Sequence, residues 1–139
     1  MRTMITPFFS EVEQQLAGLD RRREQIARRY IRRLALQPYL GYRMRHGQLA
    51  DERCRALRFD IHDNPNDLLG GKPRAMRAGD DDLSRGPRWR IVYWVRETRD
   101  REIRVIVILA VGIAHPKSGR VSVFDHAAET LKTRVKEVE

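Results

Sequence analysis

Arg88-Trp-Arg-Ile-Val-Tyr-Trp-Val-Arg96 and, after a polar stretch, Ile103-Arg-Val-Ile-Val-Ile-Leu-Ala110 decide the fold. In the first run Trp89, Ile91, Tyr93 and Val95 share one face of an extended chain, and Arg90, Val92, Trp94 and Arg96 share the other. The second run is rich in β-branched residues, which lose rotamer freedom in a helix and pack well on a pleated surface. Thr98 to Arg101 is a polar turn between them, so the two runs predict an antiparallel hairpin.

The pattern extends outward from this hairpin. Upstream, Arg53 to Ile61 alternates, with Leu57, Phe59 and Ile61 on one side and Arg58 and Asp60 on the other. Downstream, Gly112 to Gly119 is a second turn region. Arg120 to Phe124 reads as a last short strand, and Asp125 to Lys136 as a short terminal helix capped by Asp125. The first third is helical. Ser10 and Glu13 have the spacing of a capping box, Phe9, Val12, Leu16 and Leu19 form one apolar stripe, and Gly18 ends this helix. Asp20 caps a second helix, in which Ile26, Tyr30 and Leu34 lie on one line beside Ala27 and Ile31, until Pro38 stops it. Between strand and hairpin, Asp60 to Asp82 is rich in Gly, Pro, Asn and Asp, and a long loop is expected at about residues 60–87. The expected fold is α+β: one domain over 1–139, with an N-terminal helical hairpin packed on a small, mostly antiparallel sheet of three or four strands. The helices would cover one face and leave arginines on the other.

Composition narrows the function classes. A chain of 139 residues and 16.4 kDa has no room for a barrel enzyme or a large doubly wound fold. Basic residues number 28 against 19 acidic, for a net charge of +9, and only Lys72, Lys117, Lys132 and Lys136 are lysines. The arginine bias suits planar, bidentate recognition of phosphate or carboxylate, and a polyanion or acidic protein is the expected partner. A single cysteine, Cys54, excludes an internal disulfide and a cysteine-rich zinc site, and fits the reducing cytoplasm. The longest apolar run, Val105 to Ala114, is too short to cross a bilayer, so no membrane partner is expected.

Standard catalytic motifs are missing: no phosphate-binding glycine loop, no HExxH, no nucleophile elbow. His62, Asp63 and Asp67 are not spaced to fix a metal geometry, and neither a metal nor a cofactor is expected. Asp80, Asp81 and Asp82 read as a solvated loop or as a shield for a basic groove. What remains is arginine on a sheet. Arg58 and Arg90, with Arg88 and Arg96 near by, would position phosphates, and Trp94 would stack on a base, on a guanidinium or under a loop.

Four pieces, Cys54-Arg-Ala-Leu-Arg-Phe-Asp60, Arg88-Trp-Arg-Ile-Val-Tyr93, Val107-Ile-Leu-Ala-Val-Gly112 and Val123-Phe-Asp-His-Ala-Ala-Glu-Thr-Leu131, taken in order after a helical hairpin, resemble the RelE/ParE toxin superfamily of bacterial type II toxin–antitoxin systems. The resemblance spans about Phe9 to Leu131. It implies two helices on a small antiparallel sheet and a cognate antitoxin partner. It also implies a ribosome-dependent mRNA endonuclease, with DNA gyrase inhibition or a non-catalytic toxin-like binding role as the alternative. By the same resemblance Arg90 matches a functional arginine, and Arg58 a second one loosely. A third arginine of the family follows the turn after Gly112; here His115, Lys117 or Arg120 stands in that stretch. Phe124 holds the place of a family tyrosine, and phenylalanine stacks on a base but exchanges no proton. The implied chemistry needs no metal. The 2′-hydroxyl attacks the adjacent phosphate in line, Arg58 and Arg90 clamp the developing charge, and His115 is the nearest group able to move a proton near neutrality.

Overall fold

Local chemistry starts and stops the helices. The computed structural model describes residues 2–45, 47–60, 89–100, 102–114 and 121–136. Strand β1 (Arg2–Ile5) leads into α1 (Ser10–Ala17), whose N-cap is Phe9 in extended conformation. The Ser10–Glu13 capping box does not form, because Ser10 is already helical and its hydroxyl turns to Glu11. Helix α2 (Arg21–Leu34) is capped as expected, with the Asp20 side chain accepting from Arg23 N–H. Its buried line, Ile26, Ala27, Tyr30, Ile31 and Leu34, joins Val12 and Leu16 of α1. Each large aliphatic side chain there contributes roughly 1.5–3 kcal/mol through burial.

The sheet has five strands rather than three or four, in the order β1-β5-β4-β3-β2. The others are β2 (Tyr42–Arg43), β3 (Arg55–Phe59), β4 (Trp89–Glu97) and β5 (Ile103–Ile113). Strand β1 runs parallel to β5, and every other pairing is antiparallel, including the anticipated β4–β5 hairpin. A five-residue helix, α3 (Gly47–Asp51), precedes β3. Strand β1 stops at Ile5, and α1 then lies along the outer edge of β5, where Gln15 Oε1 accepts from Val111 N–H at 2.8 Å.

Both faces of the sheet are covered. Leu57, Phe59, Ile91, Tyr93, Ile106 and Ile108 pack under α1 and α2. The opposite face carries Ala56, Val92, Val107, Leu109 and Ala110. It is covered by α4 (Val123–Thr130) and a π-helical continuation, Leu131–Lys136. The expectation of arginines on an open second face is therefore corrected. Val123, Ala127, Leu131 and Val135 recur every four residues and press onto that face. The expected strand at Arg120–Phe124 is also corrected: Val123 and Phe124 open α4, and Ser122 rather than Asp125 caps it, accepting from Asp125 N–H. A register shift opposite Val92 and Tyr93 makes Leu109 a bulge, so Leu109 and Ala110 both face the second core and Val111 returns to the first. The long loop expected at 60–87 lies outside the described residues except for Asp60. Among the described residues no helix is long and apolar enough to cross a membrane.

A buried polar contact ties the turn between α2 and β2 to the centre of the sheet. Tyr93, on β4, donates its hydroxyl to Pro38 C=O at 2.9 Å and accepts from Gly41 N–H at 2.9 Å. Burial pushes its phenol up to about 12. Gly41 has no room for a side chain: a Cβ there would stand 2.7 Å from Ala56 C=O. Tyr93→Phe should cost about 1–3 kcal/mol by stranding that carbonyl and amide, read by urea denaturation. The alkaline limb adds a second readout. The folded phenol stays neutral while the unfolded one ionises near its ordinary value of about 10, so Tyr93's contribution is complete below pH ~10 and is lost as pH rises through about 12. Wild-type stability should fall more steeply over that window than that of Tyr93→Phe; parallel curves would remove Tyr93 from this role.

Candidate functional site

The sequence places Arg58 and Arg90 on alternating strands, and the register sets them directly opposite each other on β3 and β4. They share the second sheet face, since their neighbours Ala56 and Val92 do. Neither is exposed: Arg58 is 1% and Arg90 2% accessible. Two like charges opposite each other on a sheet repel, and burying each costs several kcal/mol unless it is compensated.

Compensation comes in part from Tyr42, which the sequence reading missed. Tyr42 lies on β2, opposite Ala56 of β3. Its hydroxyl accepts from Arg90 Nε at 3.1 Å, and the Arg58 guanidinium carbon sits 5.2 Å from its ring centroid. Arg90 Nη1 also donates to Trp89 C=O at 3.1 Å. One tyrosine thus offers its oxygen to one guanidinium and its π face to the other. These are not the only contacts of either arginine. Tyr42 gave little signal in the sequence because β2 has only two residues, too few for an alternating pattern.

The remaining candidates divide by position. Trp94 and Arg96 sit on the same face but toward the β4–β5 turn, with the Arg96 guanidinium carbon 5.7 Å from the Trp94 ring centroid. Six positions of β4 separate Arg90 from Arg96, roughly 20 Å of strand. An open cleft of about 640 Å³ adjoins Trp94 and Arg96. Phe124 is half-buried, packed against the second core from the first turn of α4. Arg88, His115, Lys117 and Arg120 lie outside the described residues, as do His62, Asp63, Asp67 and Asp80 to Asp82. Cys54 is fully buried in the second core. Among the described residues no group of three His, Cys, Asp or Glu side chains is placed to hold a metal ion.

Chemically, the Arg58–Arg90–Tyr42 cluster is a buried pair of cations that share one tyrosine, its hydroxyl on Arg90 and its ring on Arg58. Such a pair suits an oxyanion that gains charge during reaction. Comparison of the chain with protein-family models, with characterised proteins and with solved structures gives no match.

Tyr42→Phe should destabilise the fold by about 1–3 kcal/mol, because Arg90 Nε loses an acceptor in a buried place. A double-mutant cycle with Arg90→Met, read by chemical denaturation, checks the assignment: the Tyr42→Phe cost should largely vanish once Arg90 is methionine. An undiminished cost would separate the two residues.

Proposed function

We propose that this chain is a RelE/ParE-like toxin of a type II toxin–antitoxin pair, acting as a ribosome-dependent mRNA endonuclease. The observation that carries the reading is the cross-strand pairing of Arg58 with Arg90 around Tyr42. The helical hairpin on a mostly antiparallel sheet and the strongly basic composition support it as well.

In this reading the 2′-oxygen of one nucleotide bonds to the adjacent phosphorus as the bond to the 5′-oxygen of the next nucleotide breaks. The 2′-hydroxyl proton leaves to a base, and the departing 5′-oxygen takes up a proton. Arg58 and Arg90 hold the non-bridging oxygens as charge builds on them. Arginine keeps its proton, so it is the clamp and not the base. His115 is the group proposed for proton transfer. The reading requires the message to reach two arginines that are buried in the free chain.

That burial favours a second reading, in which the chain binds without cleaving, either as a gyrase inhibitor or as a toxin-like binding protein. Phe124 in place of a tyrosine points the same way. Induced expression with mapping of mRNA 5′ ends, run beside a gyrase supercoiling assay, separates the two. The nuclease reading expects new ends in translated messages, and a rate lower by roughly 10²-fold or more in an Arg90→Ala variant that keeps its circular dichroism spectrum. Unchanged cleavage in that variant would exclude Arg90 from the clamp. No cleavage by the wild type, with supercoiling lost, would select gyrase.

The partner is proposed to be a small antitoxin, acidic over the segment that meets the toxin. Charge complementarity with a chain of net charge +9 would speed their association. Co-expression with the product of the neighbouring reading frame should yield a stable complex whose association rate falls as salt is raised. Absence of a complex would count against the toxin reading.

A further inference from the structure

The second sheet face has another end. Beyond the C-terminal helix, Trp94, Val105 and Val107 floor the 640 Å³ cleft, and Pro7, Phe9 and Val135 wall it. That volume lies within the ~300–1,000 Å³ typical of small-molecule sites. The described lining is largely apolar, and its three arginines, Arg96, Arg99 and Arg134, outnumber one carboxylate, Glu97, which pairs with Arg104 at 3.5 Å. Arg134 is engaged by the Glu11 carboxylate, which the bond holds below the ordinary carboxylate range. The Arg96 guanidinium carbon lies within cation–π reach of the Trp94 ring, 5.7 Å from its centroid. Arg99 is exposed and has no hydrogen bond or ion pair among the described residues.

We propose that this cleft binds one splayed nucleotide of a single-stranded RNA, separate from the Arg58–Arg90 cluster. The base stacks against Trp94 and Arg96, and its phosphate meets Arg99. The pairing of an aromatic ring with an excess of arginine decides the ligand class. Indole and guanidinium each offer a π face to a base, and the cationic excess favours its phosphate. An acyl chain would fill the apolar floor without using the arginines. A duplex keeps its bases stacked inside and cannot deliver one to a concave site. Among the described residues the cleft is open, whereas the arginine pair is buried. The proposal deepens the RNA reading above and rests on it for the choice of nucleic acid.

The test uses the whole chain with Trp89→Phe, which leaves Trp94 as the sole tryptophan. A single-stranded adenine pentaribonucleotide should quench Trp94 fluorescence saturably. Arg96→Ala and Arg99→Glu, both at exposed positions, should each weaken binding roughly tenfold or more. A duplex of the same sequence should bind far less. No saturable quenching, or unchanged affinity in both variants, would overturn the proposal. Equal affinity for a hexaglutamate peptide would also overturn it and reassign the cleft to acidic protein segments. The assay contains no ribosome and reads no cleavage. Quenching without cleavage in cells upholds this site and removes the nuclease, and cleavage without quenching does the reverse.

Discussion

The Tyr93 hydroxyl bridge is the constraint on which the rest of the arrangement hangs. Strand β2 has two residues and two pairings with β3, which is too little to hold a strand in place. What fixes it is the preceding turn, pinned by Tyr93 to Pro38 C=O and Gly41 N–H. Arg55 adds a second hold, donating from Nη1 to Gly41 C=O at 2.6 Å. The approach is so close that residue 41 has to be glycine. Once Gly41 is set, Tyr42 falls between Arg58 and Arg90. A contact on the helix-facing side of β4 therefore determines the electrostatics of the opposite side.

The three central strands were legible because period-two alternation ties each side chain to a face. Leu57, Phe59, Ile91 and Tyr93 all point where the alternation puts them. The helical stripes were legible for the same reason at a different period. The second covering layer was harder to see, although Val123, Ala127, Leu131 and Val135 carried its signal. A stripe that ends a chain states that a helix is amphipathic without stating which surface it meets. Strand β1 was missed because four residues with an alternating half-buried pattern resemble any irregular terminus, and its partner is about a hundred positions away. The bulge at Leu109 was hidden because every residue nearby is apolar, so a slipped face leaves the hydropathy pattern intact.

The site was half legible for a related reason. Alternation and hairpin pairing together place Arg58 beside Arg90, which requires only the register. Their burial depends on what lies above them, part of which is Tyr42 of the two-residue strand β2. The Trp94–Arg96 pairing was readable as two residues on one face, whereas the cleft beside it needed Phe9 and Val135 from opposite ends of the chain.

Two cationic ends of one sheet face thus differ in kind. At one, guanidinium groups stand directly opposite each other in a buried place, where Tyr42 and further contacts engage them. At the other end the cation is spread over an aromatic ring at the open surface, where it costs little. The C-terminal helix and its π-helical continuation lie across the face, and Arg134 and Val135 of that continuation wall the open end. Arg134 is in turn held by Glu11 of α1. The same element that covers the sheet also shapes its accessible cleft. A change in how it sits would therefore alter both ends of the face, whereas occupation of the cleft alone asks for no rearrangement at the buried pair.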